Sequence, residues 1–528
     1  MIFTFFVACT SGKKKNNKTV FRYNESAGIT SLDPAFAKDQ SNIWAINQLY
    51  NGLVQFDDNL KIIPCIAKSW KISNDGLTYT FYLRNDVFFH DSKAFKSRKG
   101  RRVVASDFVF SFNRIIDNKI ASPGAWVFNN VNKENNPFTA INDSVFQIKL
   151  KQLFPPFLGL LTMQYCSVVP KEAVELYEND FRSNPVGTGS FTFKMWEEGE
   201  KLVLVKNPNY FEFDGKQRLP YLDAISVTFI IDKQISFLEF IKGNLDFISG
   251  IESSYKDELL TRTGGLNPKY KDKFYVLSQP YLNTEYLAFL FNGDKTNPLQ
   301  NKAIRQAINY GFDRKKMITY LRNNIGTPGL YGFVPFGMPY FETKKINGYD
   351  YNPEKSKQLL REAGFKNGEG LPGIALSTNN SYLEFCKYIQ SQLSEIGIKI
   401  KIDVNPPATH RNMVANSKLL FFRGSWIADY ADAENYLSLF YSKNFSPKGP
   451  NTTHFSDKKF DELFEKAQKE INYSLRNKYY EEMDNIVMQE AAVVVLYYDR
   501  VLRFVQNNIS GLNCNPMNLL NLKRVRKK

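Results

Sequence analysis

Histidine is almost missing from this chain. Among 528 residues there are three: His90, His410 and His454. None stands at motif spacing from a Ser, Cys or carboxylate partner, so nucleophilic and general acid–base catalysis lack a candidate, and no enzyme is expected. With only nine methionines as well, a dedicated transition-metal site has no visible ligand set, and no cofactor is implied. Cysteine is sparse too. Cys65, Cys166, Cys386 and Cys514 are widely spaced and form no metal-type pairs. Cys65 and Cys386 sit in semi-apolar settings that suit buried free thiols. Long apolar runs are absent. Ala491–Tyr498 is the longest of note, well short of the ~20 residues that cross a bilayer as a helix. Acidic residues are outnumbered, giving a net charge of +16. A nucleic-acid binder clusters such charge. Here only Lys13–Lys15 and Lys523–Lys528 stand out, and both are terminal. They read as a linker and a tail; attraction to an anionic membrane surface is the other use of such runs.

What is present is the material of a large globular protein. Apolar residues make up 43% and aromatics 15%, enough for sizeable cores in roughly two to four domains. The first residues carry a separate message. Ile2–Ala8 is a short apolar stretch that reads as the end of a signal peptide's apolar region. It leads into Phe6-Val7-Ala8-Cys9, which looks like a lipobox with Cys9 as the lipidated residue. Phe6 stands where Leu is usual, and no basic residues precede the apolar run. Residues 1–18 are therefore expected to be signal remnant, lipobox and linker.

Period-two alternation marks strands at Thr19–Tyr23, Leu77–Leu83, Val145–Leu150, Phe191–Trp196, Lys201–Lys206 and Ala224–Ile230. Helical patterns appear at Ile43–Val54, at Ala105–Ile116 with Ser106 as a plausible cap, and at Ile235–Lys242. The second half alternates more regularly. Helices are expected at Asn301–Tyr310, Arg314–Tyr320, Asn352–Ala363, Leu383–Ile396, Phe460–Ile471 and Leu475–Ala491. Strands are expected at Tyr286–Phe291, Ile374–Thr378, Ile398–Val404, Leu419–Phe422, Val493–Tyr498 and Val501–Phe504. This order implies α/β layering. Gly187-Thr188-Gly189 lacks the sequence of a phosphate loop and reads as a tight chain crossing.

Residues 423–440 are the most informative stretch. The strand Leu419–Phe422 runs into a small-residue turn, with Gly424 and Ser425, that ends in an aromatic, Trp426, and a carboxylate, Asp429. A fixed negative charge beside an aromatic wall at a strand end suits a ligand with a cationic head. Asp429 could instead cap the following helix, although Asp432 fits that cap better. Tyr430 belongs either to the core or to the pocket.

These landmarks, taken in order, resemble the extracellular solute-binding proteins of family 5, the peptide-binding lipoproteins of ABC importers. The resemblance rests on Ser31-Leu32-Asp33-Pro34-Ala35, Leu49–Val54, Pro64–Trp70, Phe81–Asp91, Ala105–Ser111, Gly187-Thr188-Gly189, Asn301–Arg314, Tyr349–Phe365 and the segment around Asp429. It implies a two-lobed periplasmic-binding-protein fold of type II with a two-stranded hinge. Lobe I would take 19–280 and 500–528, with an extra subdomain near 56–183; lobe II would take 287–490. The crossings would be Tyr281–Tyr286 and Val494–Arg500.

The resemblance also implies a role for each site residue. Asp429 would hold a peptide's α-ammonium, Gly424-Ser425 would offer a backbone edge, and Trp426 and Tyr430 would line a side-chain pocket. Arg423 would either reach the ligand carboxylate or form a surface ion pair. Leu376–Glu384 contains no base, where relatives often carry one for the carboxylate; longer peptides, or ligands without a free carboxylate, then become the expectation. The implied partners are short peptides and membrane permease subunits, with no nucleic acid. The protein would be a monomer on the periplasmic or extracellular side, reaching the membrane only through its lipid. Other readings on the same fold are a carrier of a metal chelate, haem or sugar, and a surface adhesin.

Overall fold

The computed structural model describes residues 18–134, 136–250, 252 and 255–528; Cys9 and the lipobox lie outside them. The strands that organise the molecule are β1 (Val20–Asn24), β2 (Ala67–Ile72), β3 (Thr78–Leu83), β4 (Phe138–Asn142), β5 (Val145–Lys149), β6 (Phe191–Glu197), β7 (Lys201–Lys206), β8 (Ala224–Thr228), β9 (Phe247–Ser249), β10 (Phe274–Phe289), β11 (Ile374–Thr378), β12 (Ile400–Val404), β13 (Phe421–Ile427) and β14 (Val493–Gln506). One continuous sheet runs β12-β11-β13-β10-β14-β9-β1-β8-β7-β6. The strands β2-β3-β5-β4 form a separate antiparallel sheet. The helix Ala105–Ile116 covers that small sheet, with Phe108 and Phe112 packed on Phe146.

The long strands β10 and β14 belong to both ends of the main sheet. They pair antiparallel from Phe274↔Gln506 to Pro280↔Arg500, lose register, and resume from Thr284↔Tyr498 to Ala288↔Val493. The break follows Pro280, which has no N–H to give to a ladder. Separate apolar cores lie on either side of it. One gathers Phe21, Leu49, Phe81, Phe108, Leu204 and Ile225 with the C-terminal Leu520, Leu522 and Val525. Two others, around Phe333, Tyr436 and Phe460 and around Phe289, Ile308 and Leu376, fill the far side. The fold is thus two-lobed, and β10 and β14 run through both lobes.

Several local expectations change. The strand ending at Phe422 continues through Gly424, Ser425 and Trp426 to Ile427, because β10 pairs with every residue from Phe421 to Ile427. The small residues therefore sit in a ladder, and the turn comes after them. Val493–Tyr498 and Val501–Phe504 are one strand, not two. The helix at Ala105 is capped by Asp107, whose Oδ2 accepts the Val104 N–H at 2.8 Å, and not by Ser106. The basic C-terminal run is no loose tail. Lys523 pairs with Glu212 at 2.7 Å, Arg524 with Asp214 at 3.0 Å and Lys527 with buried Asp246 at 2.7 Å. All four described cysteines are buried and free.

Gly187 and Gly189 do mark a tight crossing. A Cβ on either would lie within 2.3 Å of backbone atoms of Gln48 or Leu49. His90 locks the crossing: the Gly187 N–H donates to Nδ1 at 3.3 Å, so Nε2 carries the proton and donates to Gly189 O at 3.0 Å. Burial lowers the pKa of this imidazole from 6.5 to about 4. Between those values the unfolded chain binds a proton that the folded chain does not, so stability falls as pH falls through that window, by on the order of 3 kcal/mol. His90→Gln keeps a donor for Gly189 O but does not titrate. Its unfolding midpoint in urea should decline less steeply than the wild type's from pH 6.5 to 4; parallel declines would remove His90 from the acid response.

Candidate functional site

The hydrogen bonds flanking β13 settle which way its backbone faces. Leu290 N–H donates to Leu420 O and Ala428 N–H donates to Leu282 O, each at 2.9 Å. With continuous register between them, even-numbered residues of β13 bond to β10 and odd-numbered ones face the other way. On that other side β11 pairs with β13 only at Ser377↔Phe422. The Arg423 carbonyl is taken by His410 Nε2 at 2.9 Å. Ser425 and Ile427 therefore present backbone groups along an edge with no partner strand among the described residues.

Beyond this edge the chain turns at Ala428-Asp429, and the turn is held by one buried side chain. Asn435 Oδ1 accepts from Trp426 Nε1 at 2.9 Å and from the Asp429 N–H at 3.2 Å. Its amide donates to Asp429 Oδ2 at 3.4 Å. Asp429 is solvent-exposed, yet protein surrounds it closely enough to raise its carboxyl above the ordinary aspartate value; the Asn435 hydrogen bond acts in the opposite sense. No cation pairs with it among the described residues. Tyr165 stands near enough to feel it: burial first, and the Asp429 charge second, push that phenol up to about 12.

Asp429 lines a cleft of about 310 Å³. One wall comes from the N-terminal lobe, with Lys38, Ile43, Trp126, Met163 and Tyr165; the other is Ile427, Ala428 and Asp429, and Tyr281 sits at the strand break between them. Larger cavities of about 560 and 830 Å³ lie on the first lobe alone. Their principal charges are already matched: Glu212 by Lys523 at 2.7 Å, Arg84 by Asp86 at 2.7 Å, and Asp33 by Arg114 at 2.5 Å. Asp57 and Asp58 in the first and Glu178 in the second have no ion pair among the described residues, so the smaller cleft is set apart by position: its unmatched carboxylate, Asp429, faces the opposite lobe.

The other residues singled out from sequence fall into different places. Arg423 does not face this cleft. Its Nη2 donates to buried Glu285 at 2.5 Å, and its guanidinium lies 3.4 Å from the centre of the Tyr382 ring. The surface ion pair considered for it is thus a largely buried one. Ser425 Oγ approaches Glu285 Oε1 at 2.8 Å and belongs to the same cluster. Gly424 is required by Tyr286, whose ring would lie 2.5 Å from any Cβ there. Trp426 is half-buried behind the turn. Tyr430 is core: it donates to Glu434 and packs 6.3 Å from Trp126, centre to centre. Asp432 lies one residue before the helix cap, which is Ala433; it accepts the Glu434 N–H at 3.0 Å and also pairs with Arg476. Sequence reasoning missed the entire opposite wall. Trp126, after the Pro123-Gly124 turn, was the one visible hint: an aromatic in a loop.

Asn435→Ala removes a hydrogen bond that lowers the Asp429 pKa. The carboxyl should then titrate at higher pH than in the wild type, read by carbon-detected NMR of the aspartate side chains. It should also lose about 1–3 kcal/mol of stability in urea, since Trp426 and Asp429 lose their common acceptor. An unmoved Asp429 titration would mean that Asn435 does not position it.

Comparison with known proteins agrees with this architecture. The sequence profile of the bacterial extracellular solute-binding proteins, family 5 Middle, matches residues 61–448. The chain is 29% identical over 510 residues to Heme-binding protein A of Haemophilus influenzae, covering 92% of this chain and 88% of that protein. It is 25% identical over 497 residues to the glutathione-binding protein GsiB of Salmonella typhi, covering 93% and 91%. The periplasmic binding protein DppA of Helicobacter pylori, solved in complex with the peptide STSA, superposes with a TM-score of 0.77 at 26% identity over 97% of this chain and 98% of that one. No helix among the described residues is long and apolar enough to cross a membrane. The chain belongs to the bacterial extracellular solute-binding proteins of family 5.

Proposed function

We propose that this protein is the substrate-binding component of an ABC importer, capturing short peptides between its lobes and delivering them to permease subunits. The observation that carries the reading is Asp429: a carboxylate in an inter-lobe cleft, raised in pKa by its surroundings and without a cation. A ligand ammonium supplies the missing charge. The unpaired edge at Ser425 and Ile427 adds backbone hydrogen bonds that any extended peptide can satisfy, whatever its side chains. Binding rather than catalysis also fits the histidines. His90 and His410 are tied to backbone carbonyls, and His454 Nε2 sits 2.9 Å from Ser417 Oγ. In this reading the protein works as a monomer on the outer side of the membrane, held there by a lipid on Cys9.

One relative is named for haem, and a haem carrier is the second reading. Haem iron takes an axial His, Met, Cys or Tyr, and Met163, Met517, Tyr165 and Tyr281 line the cleft. Against it stands the charge. Haem carries two propionates, and the cleft offers them one cation, Lys38, beside a carboxylate. A ligand bearing an ammonium matches Asp429 better.

Native mass spectrometry of the purified protein, with release and sequencing of the bound species, should find a mixture of short peptides. Asp429→Ala should weaken peptide binding at least about tenfold by calorimetry while the protein stays folded, since truncating one member of a desolvated charge pair costs ~2–5 kcal/mol. Because a bound ammonium favours the ionised carboxylate, wild-type affinity should drop as pH falls through the raised Asp429 pKa, and this acid limb should vanish in Asp429→Asn. A single non-peptide species in the spectrum, or unchanged affinity in Asp429→Ala, would overturn the assignment.

A further inference from the structure

The cleft contains one positive side chain as well as one negative one. Lys38 follows the turn Pro34–Phe36 and stands two residues before the helix Gln40–Leu49, next to Asp39 at the helix cap, on the lobe opposite Asp429. Its backbone is anchored: the N–H donates to Phe36 O at 2.9 Å, and Ala37 beside it is buried. The side chain is exposed, and no ion pair or side-chain hydrogen bond involves it among the described residues. The neighbouring and comparable cations are engaged: Arg114 with Asp33, Arg423 with Glu285, Arg476 with Asp432, and Arg182 with Glu198.

Lys38 also borders the 830 Å³ cavity of its own lobe. There its charged neighbours are Lys119, Arg182 and Arg114 against Asp33 and Glu178. With Asp33 taken by Arg114 and Arg182 by Glu198, Lys38 faces Lys119 and one remaining carboxylate on that side. On the cleft side it faces an unmatched carboxylate and no other cation. Electrostatics therefore favours the ammonium of Lys38 in the cleft.

We infer that Lys38 binds the anionic end of the ligand, so that the cargo is a short zwitterionic peptide with its α-ammonium on Asp429 and its free carboxylate on Lys38. The inference rests on the peptide-carrier reading and narrows it. It replaces the expectation, drawn from the missing base in Leu376–Glu384, of longer peptides or of ligands without a free carboxylate. Three features lead to it. The charged residues lining the cleft are one of each sign, as in a zwitterion, with Asp39 just outside the lining but near enough to act on the Tyr165 phenol. They sit on different lobes, so a ligand joining them gains both pairs only when the lobes are together, which is the differential affinity that shifts a two-state protein towards its closed form. The volume of about 310 Å³ lies at the small end for ligand cavities, which limits how far apart the two ligand charges can be.

The test is a calorimetric titration of the full chain with a panel of di- to tetrapeptides and the same peptides as C-terminal amides. Wild type should bind the best acid at least about tenfold more tightly than its amide, as expected for loss of one charged partner. Lys38→Met, which keeps the apolar stem, should bind acid and amide alike, at the wild-type affinity for the amide. Lys38→Arg should retain the preference for the acid. If wild type binds acid and amide equally, or Lys38→Met still discriminates, Lys38 is not the carboxylate partner, and the peptide-carrier reading survives without it. If wild type binds no member of the panel in either form, the carrier reading fails and the inference fails with it.

Discussion

Everything else in this molecule depends on the antiparallel pairing of Phe274–Phe289 with Val493–Gln506. Those two strands carry the sheet of one lobe on their first part and the sheet of the other on their second. The main cores on the two sides are distinct; besides these strands and the cleft contacts, Asn323 and Asn324 bond across to Lys256, Asp257 and Arg262, and Ile325 packs with Phe240 and Phe274. The pairing lapses between Pro280 and Thr284, and that is the place where the lobes can change their angle with least loss of hydrogen bonding. Tyr281 sits in the lapse and also lines the cleft. The proposed ligand site and the lapse in the ladder fall in the same region.

Around this frame several buried acids are met by cations, whereas buried Arg305, Arg314 and Arg503 bond only to carbonyl and amide oxygens. Asp33, Asp246, Glu285 and Asp432 each meet an Arg or Lys, because a charge removed from water is costly unless paired. Two further acids have no cation but are closed off from solvent. Asp484 accepts the Phe333 and Val334 N–H groups, Glu434 accepts from Tyr430, and burial raises both to about 7. Such acids can be held neutral. Asp429 differs from both groups: it is uncompensated, and it is open to whatever enters the cleft. That combination is what the proposed binding role draws on.

The strands and helices of the second half were legible because each has its own period and punctuation. Ile374–Thr378 is a strand with the expected bounds, and Pro353 and Gly364 delimit a helix as their backbone preferences require. The segment around Asp429 stood out from its residue types as a candidate ligand site, and the structure places Asp429 on a cleft between the lobes. The reading went wrong where partners are distant in sequence. Gly424 and Ser425 were taken for a turn, but they are held extended by β10, some 140 positions earlier. The basic C-terminus reads as a tail, but its charges are met by Glu212, Asp214 and Asp246. Neither partner is visible from local pattern.

The sequence by itself determined the family, the α/β layering, the scarcity of catalytic and metal-binding side chains, and Asp429 as the residue to watch. These are properties of residue type and spacing, which the chain carries in linear order. Only the tertiary structure decided which charges are spent on one another and which remain free. It turned Arg423 inward to Glu285, placed Asn435 behind Asp429, and set Lys38 across the cleft, nearly 400 residues away along the chain. Whether a side chain is available to a ligand depends on what else lies within a few ångströms of it, and that is fixed by packing between segments that do not adjoin in sequence.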